Sequence, residues 1–397
     1  MIPRHLTPVL RHAITQSPVV TLTGPRQSGK TTLLRRELRG WRYVSLEDPD
    51  ERADAIHNPR QFLHRDDSPL IIDEAQRVPD LFSYLQGVVD ERGTPGQYVL
   101  SGSHNFLLLQ SISQSLAGRT RILHLLPFSI SELDGRASLS PESLGSALRE
   151  APRRDRDLLA TLHAGCFPPI HDRKLAPREW LADYYQTHLV RDVRDVLKVG
   201  DLEAFDRFVR LCAARVGQLL NLSSLGADCG VSHVTAKRWL SVLVASFQVT
   251  LLRPHFGNLG KRFIRSPKLY FLDTGLLCYL LGIRESSQLA THPLRGSIFE
   301  SHVVAELTKS YVHRGEEPRL TFWRDARGHE VDVVVDEGPQ ATAIEIKSGR
   351  TVADGFFEGL RHWRRLPGRG ESPCAVVYGG DEASERDGIV VYPWRAL

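Results

Sequence analysis

Eight residues, "GPRQSGKT" from Gly24 to Thr31, constrain this chain more than any others. They fit the spacing G-x-x-x-x-G-K-[ST]. An apolar run, "VVTLTG" (Val19 to Gly24), leads into them and "KTTLLRREL" leads out, the strand, loop and helix order that a phosphate loop requires. Glycines let the backbone curl until its N–H groups point inward, and the helix N-terminus adds positive potential. Gly24, Pro25, Arg26, Gln27, Ser28, Gly29, Lys30, Thr31 and Thr32 are therefore expected to cradle the phosphates of ATP, with Lys30 reaching the β and γ phosphates and Thr31 holding Mg²⁺.

Further apolar runs, "RYVSLED", "PLIIDEA" and "QYVLSGS", alternate with helical stretches as far as about Leu133. That alternation predicts an α/β domain with a parallel sheet covered on both faces. Asp73 at the end of "LIID" suits the metal's water shell, and Glu74 is placed to orient or deprotonate an attacking water. In "SGSHN", Ser103 is preferred over Asn105 as a sensor of the γ phosphate. Arg119 and Arg121 are candidates to stabilise transition-state charge, in cis or from a neighbouring subunit; the alternative is a solvated surface arginine.

A chain of 397 residues is too long for one ordinary core and suggests two to four domains. No apolar run approaches 18 residues and no signal-peptide pattern opens the chain, so the expected location is the cytoplasm, without membrane association. The five cysteines lie far apart with no Cys-x-x-Cys, which indicates reduced, buried thiols rather than a disulfide framework or zinc knuckle. A net charge of +4 permits nucleic-acid binding without requiring it. Only eight of the 51 basic residues are lysines, so a lysine at a motif position is less easily a product of chance. Composition and periodicity place a first α/β domain at 1–140, a helical linker at 141–215, a helix-turn-helix unit at 216–283 and a second α/β domain at 290–397.

"LLNLSSLGADCGVSHVTAKRWLSVLVAS" (Leu219 to Ser246) reads as two short helices around a turn at Gly230. Ala227 is expected on the inner face of the first, and Ser232 caps the second, with Val234, Trp239, Leu240 and Leu243 buried. His233, Thr235, Lys237 and Arg238 are left toward solvent as candidate DNA contacts. Lys261, Arg262, Arg265 and Lys268 then fall where a wing would touch a DNA backbone. A packing module without DNA contact is the competing reading.

Near the end, "AIEIKSG" puts Glu345 and Lys347 on one side of an apolar strand, since residues two apart share a face. "HEVDVVVD" supplies Asp332 on a neighbouring strand, and the helical "GSIFESHVVAEL" supplies Glu300. Three carboxylates and a lysine are suited to binding Mg²⁺ and activating a water against a phosphodiester. A surface ion pair on an amphipathic hairpin is the alternative.

"GPRQSGKTTLL", "LIIDEAQ" and "YVLSGSHN" resemble a P-loop ATPase of the AAA+ kind. "SPKLYFLDTGLL", "GSIFESHVVAEL", "EVDVVV" and "IEIKSG" resemble the C-terminal domain that accompanies such ATPases in many bacteria and archaea, whose acidic elements are similar to the PD-(D/E)XK nuclease, or restriction-endonuclease-like, fold. The resemblance implies Asp332 as the first metal-binding acid, Glu345 and Lys347 as the E-x-K pair, Glu300 as the helical acid, and assembly into a homo-oligomer. Val331 stands where the motif has proline. Arg191, Arg194 and Arg210 are all conceivable as the lid arginine that senses nucleotide. Two readings follow: an ATP-hydrolysing, DNA-interacting protein with a C-terminal candidate nuclease, or a nucleotide-dependent switch whose nuclease-like domain only binds DNA or a protein partner.

Overall fold

The computed structural model describes residues 2–65, 68–103, 115–145, 156–189, 201–255, 266–337 and 340–397. The chain divides into two compact units: residues 1–128 with 245–247 and 312–316, and residues 129–244 with 248–311 and 317–397.

In the first unit, β1 (Val19–Thr23), β2 (Arg42–Ser45), β3 (Leu70–Asp73), β4 (Tyr98–Gly102) and β5 (Thr120–His124) form one sheet in the order β2-β3-β4-β1-β5. Every neighbouring pair is parallel, as the alternation of strands and helices predicts. The sheet has cores on both sides, and period-two geometry sorts residues between them. Val19, Leu70, Ile72 and Leu100 join one core, whereas Val20, Leu22, Ile71 and Val99 join the other. Because the strands run the same way, Gly24, Asp73 and Ser103 all emerge at one edge, where open parallel sheets bind ligands.

The second unit carries an eight-stranded mixed sheet in the order β12-β13-β11-β10-β9-β8-β6-β7. Its strands are β6 (Val249–Pro254), β7 (Lys268–Phe271), β8 (Leu320–Arg324), β9 (Glu330–Glu337), β10 (Gln340–Lys347), β11 (Cys374–Tyr378), β12 (Ser384–Arg386) and β13 (Ile389–Pro393). The hairpin β6–β7, expected as a wing, continues this sheet through a parallel pairing of β6 with β8 at Arg253–Thr321 and Pro254–Phe322. The helix Arg295–Val312 contributes Ile298, Phe299, Val303, Val304 and Leu307 to the same core as Ile344 and Ile346 of β10.

The helix-turn-helix lies at Leu222–Cys229 and His233–Ala245. Asn221 accepts from the Ser224 N–H to cap the first helix, Gly230 ends it with φ +74°, and the Ser232 hydroxyl accepts from the Thr235 N–H at 3.1 Å. Two details correct the sequence reading. Val234 is 66% exposed, because the buried stripe runs through Ala236, Trp239, Leu240 and Leu243, the i, i+3, i+4, i+7 set. Gly226, not Ala227, occupies the inner face: a Cβ there would sit 2.9 Å from the Val231 carbonyl oxygen, while Ala227 is exposed.

All five cysteines are buried and unbonded to one another. Among the described residues no helix is long and apolar enough to cross a membrane.

Candidate functional site

The loop after β1 has the curl that the motif implies. Gly24 (φ +149°), Gln27 (φ +62°) and Gly29 (φ +93°) take conformations that favour glycine or a tight turn, and a Cβ on Gly24 would fall on the carbonyl oxygen of Leu125. The helix Lys30–Glu37 starts directly from the loop. The Lys30 ammonium donates to the carbonyls of Gly24 and Pro25, both at 2.9 Å, so it lies over the loop's concavity. Arg4 braces the loop from outside, donating to Ser28 O at 2.9 Å while its guanidinium packs over Phe128.

Strand β3 delivers the acids. Thr31 donates its hydroxyl proton to Asp73 Oδ2 at 2.8 Å, and the Tyr43 hydroxyl donates to the same oxygen at 2.7 Å. Ser101 donates to the other oxygen, Oδ1. Burial, followed by this contact with Asp73, pushes the Tyr43 phenol well above its ordinary range and keeps it a proton donor. Glu74 sits in the left-handed region at φ +53°, an unusual conformation for a non-glycine residue. Its carboxylate accepts from Gln76 and from Ser103, the latter at 3.2 and 3.3 Å to its two oxygens. Ser103 thus meets Glu74 at the strand-end edge. Asn105 lies outside the described residues.

Arg119 goes elsewhere. It immediately precedes β5, whose first residue is level with Val19, at the opposite end of the sheet from the loop. There it makes a bidentate ion pair with Asp90, at 2.6 and 2.9 Å. Five residues of strand separate it from Gly24, about 15 Å, which removes a role in cis. Arg121 donates to Gly315 O. Arg210 pairs with Asp206 at 2.8 Å, and Arg191 and Arg194 lie outside the described residues.

In the second unit the four predicted C-terminal residues come together. Antiparallel pairing of β9 and β10, with Val333 level with Ile344, carries Asp332 beside Glu345. The Ile346 N–H donates to Asp332 Oδ2 at 2.8 Å and fixes that carboxylate. Ile344 and Ile346 face one core, and Glu345 and Lys347 share the opposite face with Ala341 and Ala343. Lys347 Nζ is 2.5 Å from Glu345 Oε1 and 3.9 Å from Asp332 Oδ2. Glu345 Oε2 is buried with no hydrogen-bond partner. Gly359 lets the helix Glu358–Arg364 approach, since a Cβ there would lie 3.1 Å from that oxygen and collide with the Glu330 carbonyl.

Sequence reasoning missed part of this cluster. Lys268, expected on a DNA-facing wing, is 4% exposed and bridges Glu300 (3.2 Å) and Glu330. Tyr270 donates its hydroxyl to Glu300 Oε1. The rarity of lysine was the available signal for Lys268; nothing local marks Tyr270. Burial, then the charge of Asp332, lifts Glu300 to about 7 against Lys268 and Tyr270. The same two causes lift Glu345 to about 8 against Lys347. Burial alone would lower the Lys268 ammonium, but Glu300, Asp332 and Glu330 outweigh it and raise it.

The oxygen donors and the orphaned Glu345 Oε2 suit a hard cation such as Mg²⁺. In this arrangement, however, lysines stand among the acids. Among the described residues, the group whose ligand atoms all lie within 4.8 Å of one another is Asp325, His329 and His362, outside this acid cluster.

Of the helix-turn-helix residues, His233, Lys237 and Arg238 are exposed. Thr235 is half-buried, its hydroxyl 3.0 Å from that of Ser232. Lys261, Arg262 and Arg265 lie outside the described residues.

Comparison with known proteins matches residues 16–134 to an AAA domain, 155–287 to a domain of unknown function (DUF8612) and 295–397 to a domain of unknown function (DUF4143). Among solved structures, the Walker-type ATPase of Pyrococcus abyssi covers 69% of this chain and 94% of its own at 13% identity and TM-score 0.45. The Thermotoga maritima RuvB Holliday junction branch migration motor covers 64% and 90% at 19% identity and TM-score 0.30. The uncharacterized proteins Rv2008c of Mycobacterium tuberculosis and Mb2031c of Mycobacterium bovis are each 32% identical over 375 residues, 94% of this chain and 79% of theirs. The chain belongs to the family of these mycobacterial proteins, with an AAA-type ATPase domain followed by a C-terminal DUF4143 domain.

Proposed function

We propose that the protein hydrolyses ATP in its first unit, contacts DNA through its helix-turn-helix, and carries in its C-terminal domain a Mg²⁺-dependent nuclease-like site to which ATP turnover gates access. The ATPase reading rests on the Thr31–Asp73 contact of 2.8 Å at the mouth of the loop that holds Lys30. Bound Mg²⁺, held by Thr31 and Asp73, would neutralise charge between phosphates. Lys30 exchanges its two carbonyl partners for phosphate oxygens. Glu74, oriented by Ser103 and Gln76, takes the proton of the attacking water. Arg119 acts on the nucleotide of a neighbouring copy, because an exposed ion pair such as Arg119–Asp90 is cheaply broken.

For the C-terminal site, the supporting observation is the partnerless Glu345 Oε2 beside Asp332 and Lys347. Glu300, Asp332 and Glu345 would hold Mg²⁺, which supplies Lewis acidity toward a phosphodiester. Lys347 stabilises negative charge developing on the phosphoryl oxygens. DNA is the substrate class that exposed Lys237, Arg238 and His233 favour.

Lys30→Ala should abolish ATP turnover, and Glu345→Gln should abolish Mg²⁺- or Mn²⁺-dependent cutting of DNA while sparing it. A wild-type protein that hydrolyses ATP yet cuts neither DNA nor RNA, with either metal and with or without ATP, would leave the regulatory switch as the function.

A further inference from the structure

We propose that Asp325, His329 and His362 form a binding site for a divalent transition metal of the Zn²⁺ class. The site joins the β8–β9 turn to the helix Glu358–Arg364, and neither the acid cluster nor the nucleotide loop uses its residues.

The ligand atoms are spaced for one ion. A tetrahedral zinc centre with bonds of about 2.0–2.1 Å sets its ligand atoms about 3.3 Å apart. Asp325 Oδ2 lies 2.8 Å from His329 Nδ1 and 3.6 Å from His362 Nε2, bracketing that value. The stacked imidazoles hold their in-plane lone pairs in parallel planes, so binding one ion requires one ring to turn about its side-chain torsions. Two nitrogens and one oxygen suit Zn²⁺ and its neighbours rather than Mg²⁺. Three protein ligands leave a fourth position for water, as in an open zinc site.

The surroundings hold the ligands in place. Asp325 Oδ1 accepts from the N–H groups of Arg327 (2.8 Å) and His329 (2.9 Å), which turns Oδ2 toward the imidazoles. Trp323 stacks on His362 with ring centroids 5.6 Å apart, and buried Trp363 and Leu360 seat the helix that carries it. The two imidazoles stack nearly parallel, with ring centroids 3.9 Å apart. All three side chains keep solvent access, so an ion can enter.

An ordinary turn-closing hydrogen bond between Asp325 and His329 is the competing description, and titration separates the two. The parent is the full chain carrying Glu345→Gln, so that the acid cluster contributes less to metal uptake. It should take up one Zn²⁺ per chain in calorimetry, with Co²⁺ giving the visible absorption of a tetrahedral site and quenching Trp323. Adding His329→Gln, on the exposed turn, should weaken that binding more than about 100-fold, beyond the loss from an outer-shell partner. His362→Gln should do the same. Metal-free melting temperature and circular dichroism check that both variants fold. Zn²⁺ uptake unchanged by both substitutions, or absent from the parent, would overturn the site.

Discussion

Lys268→Met tests the electrostatics of the C-terminal cluster most directly. The ammonium is 4% exposed, sits 3.2 Å from Glu300 and bridges it to Glu330. Methionine fills the same space, so the perturbation is mainly one of charge. At pH 8, above the value of about 7 to which burial and Asp332 lift Glu300, the variant leaves a buried carboxylate without its cation. Breaking a buried pair from one side costs about 3–5 kcal/mol. At pH 5.5 Glu300 is already protonated in the folded wild type. The contact with the partly exposed Glu330 and the attraction of Asp332 are then lost, about 1 kcal/mol. The destabilisation should therefore shrink by roughly 2–4 kcal/mol between pH 8 and pH 5.5. Urea unfolding of wild type and variant at the two pH values, without divalent metal, measures this as a difference in midpoints. Destabilisation equal at both pH values would refute the raised Glu300, and none at either would refute the buried bridge.

The wild type should show the same chemistry with the sign reversed from an ordinary carboxylate. Glu300 and Glu345 hold their protons more tightly when folded, at about 7 and about 8, than in the unfolded chain. The folded state then binds more protons and loses stability as pH rises from about 4.5 toward 8. Each acid contributes on the order of 3 kcal/mol, discounted where the two titrations share Asp332. A metal-free melting curve that rises over this window would contradict it.

Gly24→Ala should abolish nucleotide binding, measured with a fluorescent ATP analogue, because its Cβ has no room beside the Leu125 carbonyl and φ +149° disfavours any side chain. Gly226→Ala should lower stability in urea by about 1–3 kcal/mol, through overpacking against Val231. Ala227→Gly, on the exposed side of the same helix, should cost no more than about 1 kcal/mol. Lys237→Ala combined with Arg238→Ala should weaken DNA binding at all sequences and reduce the slope of log affinity against log salt by about 2; an unchanged slope would make the helix pair a packing module.

What the sequence revealed depends on the range over which each contact is specified. The phosphate loop, Asp73 and Glu74 are legible because a strand end, a glycine curl and a helix start are local and adjacent, and parallel pairing delivers them to one edge. Glu345 and Lys347 follow from a strand's period of two, and Asp332 from a hairpin. Lys268 was misplaced for the opposite reason. Its position depends on β6 pairing with β8 across more than sixty intervening residues, and no local pattern encodes a parallel crossover of that length. A lysine after a basic run looks like a DNA contact until that pairing turns the hairpin into part of the sheet. The cis option for Arg119 failed on the same grounds, since a position just after a loop and just before a strand does not say which end of the sheet it occupies. His329 of the β8–β9 turn carried no spacing motif, because its partner ligand His362 lies on a helix more than thirty residues later. Local periodicity therefore identified the candidate chemical groups, whereas the charges set against them came from distant pairings. For that reason the Lys268 and His329 substitutions probe the fold's long-range wiring, which Lys30→Ala leaves untouched.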